Sequence, residues 1–179
     1  MPEPVAPDAL IKRAQNGDRE AFEALLRRHY DLIFRIAYKW CGNRADAEDI
    51  TQNACIKLAR SIGSFRFEAS FPNWLYAIVI NTAKDWQKSR ARHRGDELSE
   101  HLAAETPSAE SAVFASQAMA FIRELPEREK TAIYLVFGEG LSHSAAAAVM
   151  TCKESTVSWY IHEARKKLQT FGSTGGRHG

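Results

Sequence analysis

Residues 125–168 read LPEREKTAIYLVFGEGLSHSAAAAVMTCKESTVSWYIHEARKKL. The segment divides into a packing helix followed by a helix–turn–helix. Ser142 opens a short helix of small residues that runs to Val149, residues 150–152 form a tight corner, and residues 153–170 continue as a longer helix ending in the basic run Arg165, Lys166 and Lys167. A short helix joined to a longer one through such a corner sets the second helix into a DNA major groove. The C-terminal third of the chain thus reads as an all-helical DNA-contacting unit.

In the rest of the chain, strand signals are almost absent. Residues 8–16 form a short helix ending at Gly17, and Asp18 caps a second helix that runs to about Cys41, where Gly42 stops it. Within that helix Phe22, Leu25, Leu26, Ile33, Ile36 and Ala37 recur at helical spacing. Asp46, Glu48 and Asp49 open a third helix that Lys57 and Arg60 close before Gly63, a charge order that suits the helix dipole. Residues 64–70 are a loop rich in Phe and Arg, and residues 71–92 a fourth helix with Pro72 in its first turn. The expected fold is all-α, with one helical domain over 8–94, an acidic flexible linker over 95–110, a second domain over 111–171, and a flexible tail, GSTGGRHG.

Composition narrows the function classes. The chain has 179 residues, 45% hydrophobic, with a formal net charge of +2. That is a globular composition, and no apolar run reaches the ~20 residues of a membrane span. The N-terminus has neither the charged nor the apolar region of a signal peptide, so no membrane insertion and a cytoplasmic location are expected. The cysteines, Cys41, Cys55 and Cys152, lack zinc-ligand spacing and are read as packing thiols, so neither metal nor cofactor is expected. Charge is segregated: Lys84, Lys88, Arg90, Arg92 and Arg94 cluster around a lone acid, Asp85, whereas residues 95–111 hold Asp96, Glu97, Glu100, Glu105 and Glu110 and no Lys or Arg. Such separation usually divides surfaces with different partners.

Two helix faces carry further information. On the third helix, Ala47, Ile50, Ala54, Leu58 and Ile62 share the side that should be core. Asp46, Asp49, Asn53, Lys57 and Arg60 share the other, with Gln52 and Ile56 beside them. A solvated face with one stray isoleucine and a docking surface built around an apolar anchor both fit this pattern. On the fourth helix, Leu75, Ile78, Val79, Thr82 and Trp86 should pack inward, while Asn73, Asn81, Lys84 and Lys88 lie roughly opposite, spaced to hold a phosphate backbone. The preceding loop presents Phe65, Arg66, Phe67 and Phe71, a combination that either caps the core or stacks on unpaired bases. The neighbouring basic helix favours nucleic acid.

With these stretches in hand, the chain resembles the extracytoplasmic-function sigma factors, the small two-domain sigma subunits of bacterial RNA polymerase. ADAEDITQNACIKL (45–58) resembles the family's core-binding helix, and WLYAIVINTAKD (74–85) its promoter-melting helix. LPEREKTAIYLV resembles the opening of the family's C-terminal domain, and GLSHSAAAAVMTCKESTVSWYIHEARKKL its helix–turn–helix. The four occur in the family's order across nearly the whole chain.

The resemblance implies a partner for each face. Asp46, Asp49, Gln52, Asn53 and Ile56 would dock on the clamp of the largest subunit of core polymerase. Phe65, Arg66, Phe67, Asn73, Asn81, Lys84 and Lys88 would engage the −10 element, the loop holding a flipped base. Glu154, Ser155, Ser158 and Trp159 would face bases of the −35 element, with Arg165, Lys166 and Lys167 on phosphates. An anti-sigma factor is the expected regulatory partner, in a stress or envelope response. The chain departs from the family pattern at Ala77 and Ile80, where Arg is frequent, at Thr151, where Gly is common, and at Trp159, which leaves open a base contact or a packing role. Thr151 and Glu154 have the spacing of a capping box. An autonomous helix–turn–helix regulator is the competing reading, but it leaves the outward Ile56 face unexplained. A DNA-processing enzyme is disfavoured, because Asp46 and Asp49 point away from Glu48 and no Ser or Tyr nucleophile sits in a basic cluster.

Overall fold

The structure, a computed structural model, describes the backbone of residues 7–93 and 109–175 and the side chains of residues 8–92 and 116–170. Its helices fall into two compact units, α1–α4 and α5–α8. In the first, α1 (Pro7–Gln15), α2 (Arg19–Cys41), α3 (Arg44–Ser61) and α4 (Phe71–His93) follow the expected order. Local chemistry sets their ends. Asp18 accepts from the backbone N–H of Ala21 at 3.0 Å, and that bond, with the Arg13 guanidinium second, holds its carboxyl below the usual carboxylate range. Gly42, at φ 81, closes α2 by donating its N–H to the Tyr38 carbonyl at 2.8 Å. Asn43 then caps α3 by accepting from the Asp46 N–H at 2.9 Å. Past Ser61 the chain tightens into a 3₁₀ turn, Ile62–Ser64, so α3 ends before Gly63 is reached.

The core of this unit lies where α2 packs on α1, α3 and α4. Ala47, Ile50, Ala54 and Leu58 of α3 are fully buried, as their spacing requires, together with Ile33 and Ala37 of α2 and Leu75 and Val79 of α4. Tyr76, Ile80 and Ala83 are buried as well, whereas Ile78 and Trp86, expected to pack inward, are only half-buried, so the inward stripe of α4 is shifted toward Tyr76 and Ile80.

The second unit comprises α5 (Ala109–Glu124), α6 (Glu127–Ile133), a π-helical turn (Tyr134–Gly138), α7 (His143–Met150) and α8 (Glu154–Gly175). Helix α5 starts two residues ahead of the expected residue 111, and α8 runs on into the expected flexible tail; glycine weakens a helix without ending it, and no proline follows. The acidic linker expected over 95–110 lies outside the described residues up to position 108, as does the chain beyond 175. Ser142 caps α7, accepting from the Ala145 N–H at 3.1 Å, and the small, buried Ala146 and Ala147 allow close approach to α8. Val157, Ile161 and Ala164 form the buried stripe of α8.

Thr151 corrects one expectation. It is not the N-terminal partner of a capping box with Glu154. It terminates α7 in the left-handed region (φ 53, ψ 51). Its N–H donates to the Ala148 carbonyl at 3.3 Å, and the next N–H, of Cys152, donates to Ala147 at 3.0 Å. These are the paired bonds of a Schellman turn, which usually places glycine where Thr151 stands. The first hydrogen bonds of α8 return to the Lys153 carbonyl instead. A β-branched residue is strained in this conformation, at about 1–3 kcal/mol. Thr151→Gly is therefore expected to stabilise the second unit by about 1 kcal/mol after glycine's greater chain entropy is subtracted. Urea denaturation followed by circular dichroism checks this; a lower midpoint would contradict it.

Candidate polymerase and promoter surfaces

The outward side of α3 presents Asp49, Gln52, Asn53 and Ile56 to solvent, with Ile56 43% exposed in spite of its apolar side chain. Their periodicity makes them one surface, opposite the fully buried stripe. Asp46 is only partly accessible, and its carboxylate accepts from the Asn43 amide and from the Arg90 guanidinium of α4. It fastens the start of α3 to the end of α4. The Asn-x-x-Asp spacing at positions 43–46 carried the local half of that signal. Lys57, on the same side of α3, donates to the Asp85 carboxylate at 2.7 Å.

The loop before α4 is built around Phe65, which is buried at the centre of an aromatic cluster. Its ring centroid lies 4.8 Å from Phe67, 5.4 Å from Phe71 and 5.2 Å from Trp74. Phe65 is therefore no stacking platform for a base. Phe67 is the accessible ring: it is 37% exposed, held at φ 59, with the Lys12 ammonium 5.5 Å from its centroid. The Gln15 amide nitrogen donates to the carbonyls of Ile62 (3.0 Å) and Phe65 (2.7 Å), tying the loop to α1. Arg66 is exposed beside it. Along α4, Asn81 and Lys88 are exposed, Asn73 and Lys84 half-buried, and the four share one stripe. Among them Asn73 donates its backbone N–H to Ser70 Oγ at 3.3 Å, marking the first turn of the helix.

His29 backs the cluster, 5.1 Å from the Phe71 ring, and burial, with the Arg28 charge second, pushes its imidazole below its usual range. The cysteines are half-buried; Cys41 donates to the Asn43 carbonyl at 3.3 Å, and burial raises the Cys55 thiol above its usual range, which disfavours the reactive thiolate.

In the second unit, the exposed side of α8 carries Glu154, Ser155, Ser158, Trp159, Arg165 and Lys166. Trp159 is 55% exposed, which excludes a core-packing role and leaves it available on this side of the helix. The Arg165 guanidinium lies 5.1 Å from the centroid of Phe137, an exposed ring that the π-helical turn displays. Lys167 departs from the group. Its ammonium donates to both carboxylate oxygens of the buried Glu129, at 2.6 and 2.8 Å, which ties it to the body of the unit. It follows the buried Ala164 by three positions, hence the edge of the inward stripe. His143, which the sequence reading passed over, shares a 2.9 Å hydrogen bond with Ser158.

Among the described residues no group of His, Cys, Asp and Glu is arranged to hold a metal ion, and no helix is long and apolar enough to cross a membrane. Comparison with known proteins accounts for both units. Residues 25–93 match the model of Sigma-70 region 2, and residues 116–168 that of Sigma-70, region 4. The ECF RNA polymerase sigma-E factor of Haemophilus influenzae is 34% identical, across 94% of this chain and 96% of that one. The RNA polymerase sigma-H factor of Pseudomonas aeruginosa is 33% identical, across 89% and 90%. Among solved structures, the sigma factor RpoE of Bartonella quintana, in complex with the anti-sigma factor NepR, shares the fold with a TM-score of 0.69 at 22% identity, covering 83% of this chain and 94% of that one. The chain belongs to the extracytoplasmic-function sigma factors of RNA polymerase.

Proposed function

We propose that this sigma factor docks on the clamp of the largest subunit of core polymerase through Asp49, Gln52, Asn53 and Ile56, with Asp46 positioning the helix that carries them. The observation that carries this reading is the solvent-facing Ile56 set among polar side chains on a helix whose other side is fully buried. The unit over 8–94 opens the −10 element: Phe67 and Arg66 engage an unpaired base, Phe65 supports them from below, and Asn73, Asn81, Lys84 and Lys88 follow the phosphate backbone. The unit over 111–171 reads the −35 element through Glu154, Ser155, Ser158 and Trp159, with Arg165 and Lys166 on phosphates and Lys167 bracing the helix. Residues 95–110, which carry acids and no Lys or Arg, join the two. The protein is not an enzyme: it lends promoter selectivity to the polymerase that does the chemistry. It acts in the cytoplasm under an anti-sigma factor, as the complex of the B. quintana relative suggests by analogy, in a stress or envelope response.

Transcription in vitro with purified core on a panel of genomic promoters, read by 5′-end mapping, tests the assignment. Start sites that appear only with the chain, and share two spaced upstream elements, are expected. Sequence-specific binding to duplex DNA without core, and no chain-dependent start, would establish the autonomous regulator instead.

A further inference from the structure

Ser158 and His143 come from different helices of the helix–turn–helix. Ser158 lies on the exposed side of α8, and His143 is the first residue of α7, yet Ser158 Oγ and His143 Nδ1 share a hydrogen bond of 2.9 Å. Ser158 Oγ is also 3.2 Å from the Glu154 carbonyl, to which it can donate. A serine hydroxyl has one proton and two lone pairs, and a carbonyl only accepts. If the imidazole proton is on Nδ1, that nitrogen donates to Oγ and the hydroxyl proton goes to Glu154. If it is on Nε2, Nδ1 accepts the hydroxyl proton. In both tautomers the proton of Ser158 is used inside the protein, and Oγ presents only lone pairs outward.

An unconstrained serine offers donor and acceptor alike and discriminates little among base edges. We infer that Ser158, oriented by His143, is an acceptor-only reader that selects an exocyclic amino group, N4 of cytosine or N6 of adenine, at one position of the upstream promoter element. Guanine and thymine present only acceptors or a methyl group on the major-groove edge and are rejected. His143 acts through Ser158 and is a positioning residue. This rests on the proposed seating of α8 in the major groove.

The test uses the full chain with core polymerase on a promoter library randomised across the upstream element, sequenced before and after selection for binding. The wild-type chain is expected to favour cytosine or adenine over guanine and thymine about fivefold at one position, the scale of a single hydrogen bond. Ser158→Ala abolishes that preference. His143→Ala brings the four bases at that position within about twofold, leaving other positions unchanged, and His143→Asn, whose amide replaces Nδ1, restores the preference. Thermal melting of each variant separates loss of orientation from loss of fold, because an unfolded unit loses preference at every position. A preference that survives both alanine substitutions overturns the inference, as does a uniform loss across all sequences with His143→Ala, which would make His143 a phosphate contact. A wild-type library with no upstream preference at all would instead overturn the seating of α8.

Discussion

Replacing Asp49 and Ile56 together by alanine is expected to weaken binding to core polymerase by roughly thirty- to a hundredfold, about 2–3 kcal/mol, and to leave the fold unchanged. The size follows from what each side chain offers. Ile56 is held 43% exposed, so a partner can remove its remaining apolar surface from water and gain from it. Asp49 is exposed and contributes a charge that a complementary surface can pair. The fold should tolerate the change because both residues stand on the solvent side of α3, and alanine favours helix at least as well. A control substitution, Ile50→Ala on the buried side, should instead cost about 2–5 kcal/mol of stability. Fluorescence titration of labelled core measures the first effect and chemical denaturation the second. Unchanged core affinity in the double variant removes α3 from the interface.

The basic run at 165–167 should separate into two behaviours. Lys167→Ala is expected to destabilise the second unit by about 2 kcal/mol, because it strands the Glu129 carboxylate, which is only 8% exposed, without its ammonium partner. The figure lies below that for a fully buried pair because Lys167 is itself 41% exposed, so water screens part of the interaction. Glu129→Gln in the same chain should recover most of the loss, since the amide leaves no buried charge. Arg165→Ala should do the opposite: stability barely changes, while promoter affinity of the holoenzyme falls across all sequences and its salt dependence drops by about one unit of slope. Denaturation curves and salt titrations of both variants decide the matter. Equal loss of stability in the two would mean that Arg165 is structural, through its contact with Phe137.

What could be seen in the sequence was local. Caps at Asp18 and Ser142 and the buried stripe of α3 follow from spacings of three and four residues, and those are readable in one dimension. Long-range pairing is not readable in that way. Asp46 looked free because Arg90 is 44 residues away, and Lys167 looked free because Glu129 is 38 away. Phe65 and Phe67 are two positions apart in an irregular loop, where no periodicity says which ring turns inward. The structure turns Phe65 in because its neighbours Phe71 and Trp74 offer it a cavity of rings, and puts Phe67 at a positive φ outside. Thr151 was misassigned for a different reason: its hydroxyl suggested a helix start, whereas the paired backbone bonds of the preceding helix determine its conformation.

The two bonds from the Gln15 amide to the backbone at Ile62 and Phe65 have a consequence for how the protein can be cut. Gln15 lies ahead of residue 25, where the match to Sigma-70 region 2 begins. A fragment trimmed to that match would keep α3, α4 and every residue of the loop, yet lose the latch that sets the loop's shape and the lysine over Phe67. Its carbonyls at 62 and 65 would turn to water, and the aromatic loop would sample several arrangements where the intact chain holds one. The working unit is therefore longer than the recognisable one, and its extra length serves as a mould.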